Sequence, residues 1–289
     1  MIPALVAIVS FFTVIFVAKN KQKIIKLIAM RLFKQKLKNL ESKFTEKYAL
    51  DNGVNLALVN HLTKDFSPAK VDKFVFQAAK IAKSDQRQII NMTDINQSWD
   101  LIRHGKTVAR QQLEADNWHT ALHEAAHAVA YLINCPKHCM YQVSISGRSK
   151  TLGHCVHLPY IINEKYTKKD YENFIIAYLA GGIAEQYFSE KKQLTNCSKS
   201  GLHDLSQQNG CRFDLKKSKI IAKNLNLTFN KPKNSNQIII ECYQRSLDLI
   251  KINEDKILLL AKKLEVKKVL FVDEIYACLN LTRSKFELE

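Results

Sequence analysis

The chain has 289 residues, 46% of them hydrophobic, which is enough for one or two domains with an apolar core. Its seven cysteines are odd in number and irregularly spaced, which argues against a disulfide framework and for reduced thiols. The formal charge of +17 raises nucleic acid as a partner, but the lysines are spread along the chain and no nucleic-acid motif occurs, so none is expected.

The densest basic cluster has another explanation. Ile2 to Ala18 is an uncharged run rich in Val, Ile and Phe, at the lower limit for crossing a bilayer. Lys19, Lys21, Lys23, Lys26, Arg31, Lys34, Lys36 and Lys38 follow it. A cleaved signal peptide would carry its charge before the run and small residues after it, and neither is present. The positive-inside rule then places the N-terminus outside and the rest of the chain in the cytoplasm, as in a bacterial inner membrane or its equivalent. Leu27, Met30, Leu32, Phe33, Leu37 and Leu40 interleave with the lysines at helical spacing, which suits either an amphipathic helix on anionic lipid or a solvated linker helix.

From residue 49 the pattern is helical and compact. Leu56, Leu58, Val59 and Leu62 mark a first helix, and Ser67-Pro68 is an N-cap followed by proline at the first helical position. Val71, Phe74, Val75, Ala78, Ala79 and Ala82 form the stripe of a second, and Thr93 is expected to cap a third that carries Ile95, Trp99 and Ile102. Gly105-Lys106-Thr107 resembles the end of a phosphate-binding loop, but Asp100 stands where that motif needs glycine, so no ATP binding by that route is expected.

The chemistry lies in His123-Glu124-Ala125-Ala126-His127, within a run of helix formers. Residues four apart share one helix face, so His123 and His127 can offer two imidazole nitrogens to one zinc ion, the expected cofactor. Glu124 then stands beside the metal without ligating it, in the position of a general base for a zinc-polarised water attacking a peptide carbonyl. Next come two expected short strands, Cys139 to Ser146 and Thr151 to Leu158. The second could hold an extended substrate by backbone hydrogen bonds, with Leu152, Gly153, His154, Cys155 and Val156 as the contact residues. No four-ligand spacing for a second metal fits Cys135, His138, Cys139, His154, Cys155 and His157. A long helix is expected over residues 168–188, with Phe174, Ile175, Tyr178, Leu179, Ile183, Ala184 and Phe188 as its core face and Gly181-Gly182 marking close packing. Spacing leaves three candidates for a third zinc ligand: Glu185 on this helix, Asp204 in Ser200-Gly201-Leu202-His203-Asp204-Leu205, and His203.

The order of His123-Glu124-Ala125-Ala126-His127-Ala128, Val143-Ser144-Ile145, Leu152-Gly153, Leu158-Pro159, Leu179-Ala180-Gly181-Gly182-Ile183-Ala184-Glu185 and Asp204-Leu205 resembles the FtsH family of membrane-bound zinc proteases. Glu241-Cys242-Tyr243, Leu249-Ile250, Asn253 and Leu260 to Leu264 resemble its closing helices, and Phe66-Ser67, Ala78-Ala79 and Thr93-Asp94-Ile95 its small ATPase lid. The nucleotide-binding core that precedes that lid in the family has no counterpart here. The resemblance implies zinc, with His123, His127 and Asp204 as ligands, Glu124 as base and Glu185 nearby. In the family, glycine stands one residue further from the aspartate than Gly201 stands from Asp204, and glycine stands where this chain has Ala126. The expected architecture is mainly α (α+β). It comprises a membrane anchor over 1–18, a basic linker over 19–48, a helical lid-like domain over 49–108 and a zincin-like peptidase domain with a small sheet over 109–289. The expected function is ATP-independent cleavage of unfolded or flexible polypeptides beside the bilayer, by a homo-oligomer such as a hexamer or in association with an FtsH-type protease. The other reading is a catalytically silent subunit that binds substrate or regulates a family ATPase.

Overall fold

A computed structural model describes Ser42 and residues 48–107, 114–148, 152–160, 165–189, 211–229 and 234–282. The apolar run 2–18 and the basic stretch after it lie outside these residues. Among the described residues no helix is long and apolar enough to cross a membrane. The chain divides into two compact units at Gly105.

The N-terminal unit pairs β1 (Ala49–Leu50) in parallel with β2 (Ile89–Ile90) and packs α1 (Leu56–Leu62), α2 (Pro68–Ser84) and α3 (Met92–His104). Ser67 caps α2 as its sequence implies, its hydroxyl accepting from the Lys70 amide. The cap of α3 differs from expectation. Asn91, not Thr93, occupies it, and the Asn91 and Asp94 side chains exchange bonds with each other's backbone amides. The reciprocal pair satisfies two orphan donors at once, where a threonine two residues further on would satisfy one. Arg87 closes the same corner with two 2.7 Å bonds to the buried Asp94 carboxylate. Across the core the Trp99 indole donates to the Leu62 carbonyl and the Ser98 hydroxyl to the Phe74 carbonyl, so buried polar atoms join α3 to α1 and α2.

The second unit is built on α4 (Glu114–Asn134). Ala121, Leu122, Ala125, Ala126, Ala128, Val129 and Ala130 are all 2% exposed or less, so α4 is enclosed on every side. Short side chains allow that: they bring neighbouring backbones close without voids. One side of α4 meets the three-stranded antiparallel sheet of β3 (His138–Ser144), β4 (His154–Pro159) and β5 (Val269–Phe271), in the order β4-β3-β5. β4 therefore has one edge without a partner among the described residues, and it begins at His154, so Leu152 and Gly153 precede it. A register irregularity between Met140 and Gln142 bends β3 against it. Opposite lies α5 (Lys168–Ser189), covered in turn by α6 (Cys211–Phe229) and α7 (Ser235–Ile252), while α8 (Glu254–Lys267) packs on α4 and α9 (Val272–Cys278) closes on β3.

Helix α5 spans the expected residues but has no single core face. Asn173, Ile176, Ala177, Ala180 and Gln186 are buried beside the apolar positions, because α4, α6 and α7 surround it. Its buried polar atoms are answered by neighbours: the Asn173 amide donates to the Asn134 carbonyl, the Tyr243 hydroxyl to Gln186 Oε1, and the Ser246 hydroxyl to the Ile176 carbonyl. His138 and His157, considered above for a second metal, bond each other at 2.8 Å on adjacent strands, and burial pushes the His157 pKa down to about 3. The six described cysteines form no disulfide with one another.

Candidate metal centre

His123 and His127 stand one turn apart on α4, at the face that meets α5. Their Nε2 atoms lie 2.9 Å apart. Asp214, in the first turn of α6, brings Oδ2 to 3.2 Å from His123 Nε2 and 3.4 Å from His127 Nε2. Donors 2.0–2.2 Å from a tetrahedral zinc ion are spaced about 3.3 Å from one another, so these three atoms are placed to hold one such ion. Among the described residues this is the donor set that joins both histidines to a carboxylate.

The far ring nitrogens fix how the histidines are presented. His123 Nδ1 is 2.7 Å from Glu185 Oε1, and His127 Nδ1 is 2.7 Å from the Ala177 carbonyl. With a metal ion bound, each Nδ1–H would donate outward to these acceptors and leave its Nε2 lone pair for the ion. Both acceptors belong to α5 and lie on one face of it, with Gly181 between them at four-residue spacing. A Cβ at Gly181 would lie 2.5 Å from His127 Nε2 and 2.7 Å from His123 Nε2. Glycine is therefore required there to keep the space between the donors open. This accounts for a helix interior that tolerates Gly181 despite its cost to helix stability.

The electrostatics fit a cation. Burial would raise the Asp214 pKa, but the charge of His127 and hydrogen bonds from both imidazoles hold it well below the usual carboxylate range. Burial would lower the His123 pKa, yet hydrogen bonds with Asp214, Cys211 and Glu185 raise it well above the ordinary value. The cluster thus demands positive charge between its donors, supplied by a proton or by a metal ion.

Glu124 sits beside the donors, 6% exposed, and burial raises its pKa against the opposing charges of His123 and His127. The segment entering β4 presses on it. A Cβ at Gly153 would lie 2.6 Å from Glu124 Oε1 and 2.9 Å from the Ser144 carbonyl, and the Cys155 thiol donates to the Glu124 carbonyl at 3.2 Å. The open strand edge and the acidic group thus adjoin.

Of the residues singled out by sequence, His123, Glu124, His127 and Glu185 come together, with Gly153 and Cys155 alongside. Glu185 does not reach the Nε2 cluster; it orients His123 from behind. Asp204 and His203 lie outside the described residues. Asp214 was not singled out, although Gly210 precedes it by four residues and Leu215 follows it, which is the family spacing that Gly201 and Asp204 lack.

The pattern of Peptidase family M41 matches residues 110–209. Over these residues the chain is similar to the FtsH family of zinc metalloproteases. It is 30% identical over 158 residues to the ATP-dependent zinc metalloprotease FtsH of Aquifex aeolicus, covering 53% of this chain and 24% of that protein. FtsH of Karelsulcia muelleri is 24% identical over 267 residues, 81% of this chain and 40% of the relative. FtsH of Bacillus subtilis is 24% identical over 249 residues, 78% and 39% respectively. The chain thus spans well under half the length of these FtsH relatives. The contact behind His123 is directly testable: Glu185→Ala is expected to weaken zinc binding by roughly 10- to 100-fold, the usual effect of losing a carboxylate behind a ligating histidine. Competition with a chromogenic chelator checks it.

Proposed function

We propose that this chain is a zinc metalloendopeptidase that cleaves unfolded or flexible polypeptide segments without a nucleotide-driven motor of its own, held at a membrane with its catalytic unit on the cytoplasmic side. The observation that carries the reading is the convergence of His123 Nε2, His127 Nε2 and Asp214 Oδ2 within 3.4 Å of one another, beside a buried Glu124. A zinc ion held by these three donors would supply Lewis acidity toward water and a carbonyl oxygen. Glu124 takes the proton from the attacking water and returns it to the leaving amine. Glu185 and the Ala177 carbonyl hold the imidazoles in the ligating tautomer. The free edge of β4, with Leu152 and Gly153 leading into it, pairs with an extended substrate and carries it past Glu124. That need for an extended backbone suits loose tails and unfolded chains as substrates. An oligomer, or assembly with an FtsH-type ATPase, fits the same arrangement.

The choice of Asp214 over Asp204 is tested by comparing Asp214→Ala with Asp204→Ala in the full chain. Asp214→Ala should lower zinc affinity more than about a hundredfold, since it removes a whole ligand rather than a supporting bond, while Asp204→Ala should leave it unchanged. The reverse order would return the role to Asp204. The same preparations, given an unfolded protein and zinc without nucleotide, test the activity. Absence of cleavage by a zinc-loaded parent chain would favour the silent, partner-dependent reading.

The strand role has its own test. Val156→Pro removes a backbone donor from β4. It should abolish peptide cleavage while one zinc per chain remains bound; unchanged cleavage would sink the role of β4.

A further inference from the structure

Helix α6 buries one side, through Leu215, Ser218, Ala222 and Leu225, and leaves the other to solvent. On the open side Phe213, Ile220 and Leu227 are 61%, 48% and 70% exposed, one every seventh residue and so in one row along the helix. Arg212, Lys216, Lys217, Lys219 and Lys223 are exposed with them. None of the five is paired with a carboxylate among the described residues, and Lys217 instead lies 5.2 Å above the Phe213 ring. The row on α8, Leu259 and Val266, is also exposed, but it is flanked by Asp255 and Glu265 as well as by lysines, so its charge selects no partner.

We propose that the exposed face of α6 docks on an anionic lipid surface. The occupant follows from charge and shape. Segment 190–210 carries Lys191, Lys192 and Lys199 against Glu190 and Asp204, and segment 230–233 carries Lys231 and Lys233 with no acid, so neither flanking segment complements this face. Residues 283–289 balance Arg283 and Lys285 with Glu287 and Glu289, and a second copy brings a further +17. The partner is therefore an external anion-bearing surface. The face itself is the convex half of a helix of 19 residues, about 28 Å long, with apolar side chains rooted between long cationic ones. A protein partner would need a groove that is both apolar along its floor and acidic along its rims, whereas an anionic bilayer offers both at once: the apolar row enters the acyl boundary and the lysines reach anionic headgroups. The inference does not depend on peptidase activity.

The test uses the full chain carrying Leu227→Trp, with the parent chain's Trp99 and Trp118 signal subtracted. Vesicles of mixed phosphatidylglycerol and phosphatidylcholine, with brominated acyl chains, are added, and pure phosphatidylcholine vesicles serve as the comparison. The introduced indole should be quenched in the anionic vesicles and not in the neutral ones. Adding Lys216→Glu and Lys223→Glu should lower the apparent affinity for quenching by more than tenfold, since each surface lysine contributes roughly a fivefold effect. Retention of one zinc per chain shows that the substituted protein is folded. Equal quenching in neutral vesicles, or quenching that survives both charge reversals, overturns the proposal. No quenching in any vesicle also overturns it, and leaves an acidic protein as the partner of this face.

Discussion

Glu124→Gln is expected to lower the rate of polypeptide cleavage by on the order of a hundredfold or more, with zinc content unchanged. The substitution keeps the shape and hydrogen-bonding reach of the side chain but removes its capacity to take a proton. His123, His127 and Asp214 are untouched by it, and the new amide would meet the same wall, the segment entering β4 at Gly153. The native environment favours proton transfer, because burial raises the Glu124 pKa and so its hold on a proton, with the charges of His123 and His127 opposing the rise. Single-turnover cleavage of an unfolded substrate, beside zinc measured by atomic emission, separates the two effects. A variant that loses zinc together with activity would show Glu124 to be part of the metal cage; a variant with parental rate would remove it from the chemistry.

Gly181→Ala should abolish stoichiometric zinc binding without unfolding the protein. The added methyl carbon would lie 2.5 Å and 2.7 Å from the two Nε2 atoms, closer than van der Waals contact permits. What must yield is the far end of two imidazoles, which can rotate, rather than backbone, so relief comes from displacing the donors. The helix itself gains, since alanine is more favourable than glycine in a helix interior by roughly 1 kcal/mol. The signature is thus opposite in sign for fold and function: unchanged or raised thermal stability of the metal-free protein, together with zinc affinity and cleavage lost. A chain with alanine at 181 that still binds one zinc tightly would place the metal away from these histidines.

Both expectations concern contacts that differ greatly in how local they are, and that difference explains what could be read in advance. The pair His123 and His127 was legible because four-residue spacing on a helix is a geometric constraint contained in the sequence itself. The limits of α5 and the cap at Ser67 were legible for the same reason. The cap of α3 was misjudged because Thr93 and Asn91 both satisfy a capping preference, and only the reciprocal bond between Asn91 and Asp94 separates them. The core face of α5 was misjudged more deeply. Periodicity presumes one wet side, and a helix enclosed by three others has none, so Ala177 and Ala180 carried no visible signal.

Sequence by itself determined the mainly helical class, the His123-Glu124-His127 constellation, the need for small residues at Gly181-Gly182 and the strand that follows. Tertiary structure decided which acidic group lies against both histidines and which lies behind one of them. Asp214 is 87 positions beyond His127, and Glu185 is 62 beyond His123; no local rule relates them. Their positions are set by the packing of α5 and α6 over α4, which puts Glu185 at the outer nitrogen of His123 and Asp214 at the inner one. A carboxylate becomes a ligand or a support according to which side of an imidazole it meets, and that is a property of packed helices rather than of residue order.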